Sequence, residues 1–281
     1  MNNLTNYHSH TSFCDGKAPM EAFIAEAVRQ GFTSYGVSSH APLPFRTRWT
    51  IDDREQTGLY LQEFARLKRL YGDRIELYVG LEIDYMDEDQ QPANDYFQSL
   101  PLDYRIGSVH LLHSTQGEIV DIDTKPEVFR EHVRLHLGGD LKRVVLAYFD
   151  KLMRMSGRGG FDFIGHADKI SYNVSCCEPN ILGQQWYKDK ISEYFTFIAE
   201  KGAMIEVNTK TLHRNGFLYP NKEHFGLIRT LGIPVVVNSD AHLPELINSG
   251  RPEALRLLKA SGIGAVWQLE RGVWTEVPIG E

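Results

Sequence analysis

Short apolar runs that each end in histidine, aspartate or glutamate constrain this chain more tightly than any other feature. "TSYGVSSH", "IELYVGLEID", "DYRIGSVH", "FDFIGHAD", "AMIEVNT" and "VVVNSDAH" read as buried strands, with "LTNYHSH" a weaker seventh and "GAVWQL" a later candidate. Amphipathic helices lie between them. "PMEAFIAEAVRQG" puts Met20, Phe23, Ile24, Ala27 and Val28 on one helix face, with Pro19 at a first helical position and Gly31 as the stop. "DKISEYFTFIAEKG" repeats this with Ile191, Tyr194, Phe195 and Ile198 and closes at Gly202. A third helix is expected from Pro252 through Leu255 and Leu258 to Gly262, and others around 53–71 and within 126–156. Strands alternating with helices predict parallel β/α units.

The runs end near His8, His40, Glu82, His110, His166, Asn208 and Asp240. In a β/α barrel the C-terminal ends of the strands share one face, where active sites are built. Eleven histidines scattered at random would not favour that position. The expectation is therefore one barrel-like α/β domain over residues 1–281, a length ordinary for such a barrel, with strand ends converging on one polar site.

The candidate metal ligands are His8, His10, Asp15, His40, Glu82, His110, His166, Asp240 and His242. Residues i and i+2 of a strand point the same way, so "HSH" and "DAH" can each present two ligands to one side. Imidazoles and carboxylates without thiolates suit Zn, Mn or Fe. Nine donors exceed the needs of one ion, and two or three ions sharing a bridging carboxylate would use them. Such a cluster favours phosphate-ester hydrolysis, generating a hydroxide nucleophile and stabilising the departing alkoxide. Taken singly, HxH is a weak motif, a buried glutamate is usually a paired structural residue, and Asp-Gly at 15–16 is also an ordinary turn. It is their joint position at strand ends that carries the reading.

The remaining histidines fit blander roles. His132 and His136 stand at i, i+4 but lack the HExxH order, as expected of a solvated helix face. His113, His213 and His224 read as loop or surface residues. Cys14, Cys176 and Cys177 are too few for a disulfide framework. The formal net charge of −7 and pI of about 5.9 argue against a nucleic-acid-binding surface. No signal-peptide pattern opens the chain and no apolar run approaches membrane-span length, so a cytoplasmic enzyme without membrane partners is expected.

"HSHTSFCDG" resembles the first motif of the PHP (polymerase and histidinol phosphatase) superfamily, roughly HxHTxxSDG, with Cys14 in place of the usual serine. "SSHAP", "GLEIDY", "GSVH", "GHADK", "EVNT" and "NSDAH" are similar to its later motifs, in order, across residues 6–242. "SSHAPLP", "GLEIDY" and "GSVHLL" look most like the histidinol-phosphate phosphatases. The resemblance implies a distorted seven-stranded β/α barrel, TIM-like, with a trinuclear site. It implies His8, His10, Glu82 and Asp240 on a first ion, Glu82 bridging to a second with His110 and His166, and Asp15, His40 and His242 on a third. The family often carries histidine near the position of Asp15.

The implied reaction is hydrolysis of L-histidinol phosphate to L-histidinol and phosphate, with in-line attack by a metal-bound hydroxide. A cation should hold the phosphate. The candidates are Arg214, favoured first, then Lys169, with Lys210 and Arg46 or Arg48 also open. Asp240, His242 or a bound water could protonate the leaving alkoxide. The rivals are a phosphoesterase for another small phosphate or nucleotide, a proofreading nuclease, and a metal-dependent scaffold without catalysis.

Overall fold

The inward-facing residues of the parallel strands change character along each strand, and this positions everything that follows. The computed structural model describes residues 3–280. Its principal sheet joins β1 (Thr5–Asn6), β2 (Ser34–Val37), β3 (Glu76–Asp84), β4 (Tyr104–Ser108), β7 (Phe163–Ile164), β8 (Met204–Asn208) and β9 (Val235–Asn238), all parallel and in that order. A parallel bridge between Ser9 and Ala241 brings the two edges together, with His10 N donating to Ala241 O at 2.8 Å and Ala241 N to His8 O at 3.2 Å. The result is a nearly closed seven-stranded barrel.

Two hairpins lie outside that order. β5 (Leu111–His113) and β6 (Ile119–Asp121) pair antiparallel just after β4, while β10 (Ala265–Glu270) and β11 (Val273–Pro278) form a C-terminal ribbon. Neither the first hairpin nor β11 is among the runs anticipated above; strands of three residues are too short to show an alternating pattern.

Helices cover the outside: α1 (Met20–Gln30), α2 (Arg54–Tyr71), α3 (Asp95–Ser99), α4 (Pro126–Leu135), α5 (Leu141–Arg158), α6 (Ile170–Cys177), α7 (Gln185–Glu200), α8 (Leu212–Asn215), α9 (Phe225–Leu231) and α10 (Arg251–Ala260). Their ends follow local chemistry. Asp53 and Asp140 cap α2 and α5 by accepting from Gln56 N and Arg143 N, which satisfies otherwise orphaned amides. Gly31 ends α1 in the left-handed region, at φ 77°. Pro19 is the N-cap of α1, one position earlier than expected, and α7 begins four residues before "DKISEYFTFIAEKG". Met20, Phe23, Ile24 and Ala27 form the buried stripe of α1, and Val28 is half-buried.

Inside the barrel, Tyr78, Tyr104, Ile106, Phe163, Met204 and Val236 form an apolar plug at the N-terminal end, sealed by Tyr7, Leu269 and Trp274. Tyr104 and Phe163 stack at 6.1 Å. Continuing two residues at a time from this floor, Tyr78 leads to Gly80, Glu82 and Asp84, and Tyr104 to Ile106, Ser108 and His110. Met204 leads in the same way to Glu206, Asn208 and Lys210. The period-2 alternation thus makes one end of the barrel apolar and the other densely polar.

Tyr104 sets a constraint of its own. A Cβ at Gly80 would lie 2.5 Å from its ring, and one at Gly36 would also collide with it. Gly80→Ala is expected to destabilise the fold by about 1–3 kcal/mol through overpacking. Thermal denaturation checks this, and an unchanged melting temperature would count against the tight floor.

Candidate metal centre

All nine candidate ligands gather at the polar end, and most sit just past a strand rather than within it. His8, His110, His166 and Asp240 each follow the last residue of β1, β4, β7 and β9 by two positions, and His40 follows β2 by three. Glu82 alone lies inside its strand. His166 and Asp240 occupy the left-handed region, at φ 30° and 49°. Non-glycine residues rarely do so, and such strain gathers where a side chain must be aimed.

Glu82 is the hub. Its Oε2 lies 3.0 Å from His40 Nδ1, 3.2 Å from His8 Nε2 and 3.4 Å from His10 Nε2. Its Oε1 lies 2.9 Å from His166 Nε2 and 3.5 Å from His110 Nε2, and accepts from Ser108 Oγ at 2.6 Å. One carboxylate therefore faces two sets of imidazoles. Asp240 Oδ1 joins the first set, 3.2 Å from His10 Nε2 and 3.9 Å from His8 Nε2. On the second side, His110 Nε2 and His166 Nε2 are 3.0 Å apart.

A third set surrounds Asp15. Its Oδ2 is 3.1 Å from His242 Nε2, and its Oδ1 is 3.8 Å from His10 Nδ1 and 4.0 Å from His40 Nε2. His10 thus faces both the first set and the third, a sharing that sequence order does not reveal.

These distances fit cations. Two donors on one Zn-sized ion, each at ~2.1 Å, stand about 3.0–3.4 Å apart depending on the angle between them. His8 Nε2, His10 Nε2, Asp15 Oδ1, His40 Nδ1 and Glu82 Oε2 are buried yet lack hydrogen-bond partners. Buried polar atoms are rarely left so, and five orphans converging on one place are compatible with bound ions. The donor set contains no thiolate ligand. Cys14 Sγ lies 3.6 Å from His10 Nδ1, but burial and then Asp15 push its thiol up to about 11.

The electrostatics are mixed, as expected of ligands crowded together. Burial opposes charge on Glu82, yet His40, His8 and His110 hold its carboxyl well below the usual range. Asp240 is likewise held low against burial, chiefly by Lys210. Burial and then His40 and His242 keep His10 neutral, whereas at His8 the carboxylates of Glu206, Glu82 and Asp240 overcome burial and raise the pKa.

Two further carboxylates orient the ligands. Glu206, wholly buried, accepts from His8 Nδ1 at 2.7 Å, His166 N at 2.8 Å, Asn208 Nδ2 at 2.9 Å and Asn238 Nδ2 at 3.0 Å. Asp84 holds His110 by both Nδ1, at 3.0 Å, and the backbone N, at 2.9 Å. Each fixes a ring so that Nε2 points at the cluster, the arrangement that raises ligand basicity. The sequence reading missed both, although Asp84 stands two residues beyond Glu82 and Glu206 two before Asn208, the same spacing that singled out "HSH". Glu206→Gln is expected to weaken metal binding about 10–100-fold. Metal retention against a graded chelator measures this; unaltered retention would contradict it.

The candidate cations are placed unevenly. Lys210 Nζ reaches Asp240 Oδ1 at 3.2 Å and His242 Nε2 at 3.4 Å. Lys169, buried, pairs with Asp123 Oδ2 at 3.1 Å and lies over the Tyr219 ring at 5.2 Å. Arg214 in α8 and Arg46 and Arg48 after His40 are exposed, and among the described residues none is within ion-pair distance of a candidate ligand. A cavity of about 160 Å³ opens onto the cluster, lined by Asp15, His40, Trp49, His110, Asp121, Asp123 and Lys210. Trp49 packs edge-on against His40 and His110, with centroids 4.8 and 5.8 Å away. Among the described residues no helix is long and apolar enough to cross a membrane.

Known proteins are similar to this chain in sequence and fold. A Schizosaccharomyces pombe protein named "Probable histidinol-phosphatase" is 26% identical over 279 residues, covering 94% of this chain and 89% of that one. A Listeria monocytogenes structure superposes with a TM-score of 0.79 at 22% identity, covering 89% of this chain and 99% of its own. The Lactococcus lactis histidinol phosphate phosphatase, solved with Zn, L-histidinol and phosphate, gives a TM-score of 0.71 at 16% identity and covers 97% and 99% of the two chains. At those identities the two structures speak for the barrel alone. The PHP domain model, however, matches residues 6–210, from the strand before His8 through Glu82, His110 and His166 to Lys210, and the chain belongs to the PHP domain family.

Proposed function

We propose that this protein is a metal-dependent phosphomonoesterase that hydrolyses L-histidinol phosphate to L-histidinol and phosphate. The observation that carries the metal-dependent reading is Glu82, whose two oxygens face separate sets of imidazoles amid orphaned buried donors. The substrate rests on the relatives named as histidinol-phosphatases. His8, His10, Glu82 and Asp240 would hold one ion, Glu82, His110 and His166 a second, and Asp15, His40 and His242, with His10 alongside, a third. Zn is the ion in the Lactococcus relative; Mn and Fe suit the same donors. When bound, such ions supply an activated water and neutralise charge on the phosphoryl oxygens.

The chain's own residues do the rest. Lys210, on the cavity wall, and Lys169, buried and within electrostatic reach of Asp240 and Glu82, would take the phosphate. Arg214 and Arg46, both exposed, are the other candidates for this contact. Breaking the P–O bond leaves an alkoxide that needs a proton. Asp240, His242 or a bound water would supply it; Asp240 Oδ1 and His242 Nδ1 are 3.5 Å apart. Burial of His8, His10 and Glu82 lowers the local dielectric and strengthens the interactions they make.

A panel of phosphomonoesters tests the proposal. Histidinol phosphate should be turned over with the highest kcat/KM. A sugar phosphate or nucleotide hydrolysed as fast or faster would replace it as the substrate.

A further inference from the structure

We propose that Asp121 forms a subsite for an ammonium group of the substrate, so that this enzyme selects phosphate esters of amino alcohols over esters whose carbon chain is uncharged. The inference rests on the phosphomonoesterase reading and adds a determinant of specificity to it.

The cavity that opens onto the cluster has a wall that the ligands do not explain. His40 and Asp15 line it with the unpartnered Nδ1 and Oδ1 that mark the ion sites, and Lys210 adds a cation. That half suits a phosphate dianion. The other half contains two carboxylates, Asp121 and Asp123. Asp123 is matched, its Oδ2 lying 3.1 Å from Lys169 Nζ. Asp121 is not. Its Oδ1 accepts the backbone N of Asp123, at 2.8 Å, and among the described residues no lysine, arginine or histidine nitrogen lies within 4.0 Å of either carboxylate oxygen; His132 Nδ1 meets only its backbone O, at 2.8 Å.

A half-buried carboxylate beside a second one is a poor wall for a ligand that is wholly anionic. It repels the dianion without return. For a ligand that carries an ammonium a few bonds from its phosphate, the same carboxylate becomes attractive, and it discriminates in both directions at once. L-Histidinol phosphate is such a ligand, with its amine on the carbon next to the ester methylene. Asp121 is held where it is by backbone pairing. It ends β6 opposite Leu111 of β5, the residue directly after His110. The hairpin therefore ties the position of this carboxylate to that of a metal-facing imidazole.

The test uses the full chain loaded with metal and two esters of one skeleton, 2-aminopropyl phosphate and isobutyl phosphate, in which ammonium is replaced by methyl. The wild type should prefer the ammonium ester by roughly 10- to 100-fold in kcat/KM, the scale of one charge-assisted hydrogen bond. In Asp121→Asn, which keeps an oxygen to accept from Asp123 N, that ratio should fall to near 1; in Asp121→Glu it should recover in part. A wild-type ratio near 1, or a ratio unchanged in Asp121→Asn, would overturn the proposal. Neither ester contains an imidazole, so the outcome is separable from the identity of the substrate. Preference for the ammonium ester without turnover of histidinol phosphate would sink the substrate reading and leave the subsite standing. Turnover of histidinol phosphate with no ammonium preference would do the reverse.

Discussion

Glu82→Gln is expected to lower phosphate release by about 10³-fold or more and to remove at least one ion per chain. Loss of a single well-placed electrostatic group in an active site commonly costs about 10²–10³-fold. Glu82 faces more than one group: Oε2 meets His8, His10 and His40, and Oε1 meets His110 and His166, all between 2.9 and 3.5 Å. An amide retains the shape but loses the charge. It also turns N–H hydrogens toward one set of ring nitrogens, where a cation would otherwise sit. Activity assays paired with metal analysis read both effects, and circular dichroism checks that the fold survives. A variant with full metal and activity within tenfold of wild type would remove Glu82 from the centre of the account.

Asp240→Asn should reduce kcat by roughly 10²–10³-fold while leaving the backbone undisturbed. Asp240 sits at φ 49°, and asparagine tolerates this left-handed conformation as aspartate does. What the variant lacks is the charge that Oδ1 presents to His10 Nε2 and Lys210 Nζ, both at 3.2 Å. Asp240→Ala removes the same charge and adds backbone strain. Its melting temperature should therefore fall below that of Asp240→Asn, at similar residual activity. Equal melting temperatures would show that the left-handed conformation costs alanine nothing here. Wild-type kcat in Asp240→Asn would exclude a role for its charge in the reaction.

Much of this was legible in the sequence because the barrel repeats one rule. An apolar strand interrupted by a donor at its C-terminal end names both the strand and its contribution. His8, His40, Glu82, His110, His166 and Asp240 all obey it. The structure differs in detail, since the strands stop two or three residues early and loops carry most ligands. How the ligands group was not legible. His10 facing both Glu82 and Asp15 depends on distances across the barrel mouth, which sequence order does not encode. Glu206 and Asp84 were hidden for a different reason: each sits two residues from a polar neighbour, and only a partner ring on another strand reveals its purpose. Trp49 and Asp121 had no local signal. A half-buried tryptophan in a loop and a carboxylate on a three-residue strand acquire meaning only from the cavity they line.

Sequence, fold and chemistry meet in one dependence: the imidazoles and carboxylates that the strands bring together should work only with cations among them. The most direct test is phosphate release from L-histidinol phosphate, followed alongside metal content before chelation, after it, and after Zn or Mn is restored. Two or three ions per chain are expected, with release that vanishes on their removal and recovers on their return. Undiminished release in the metal-free protein, or a fully loaded protein that hydrolyses no phosphomonoester, would contradict it.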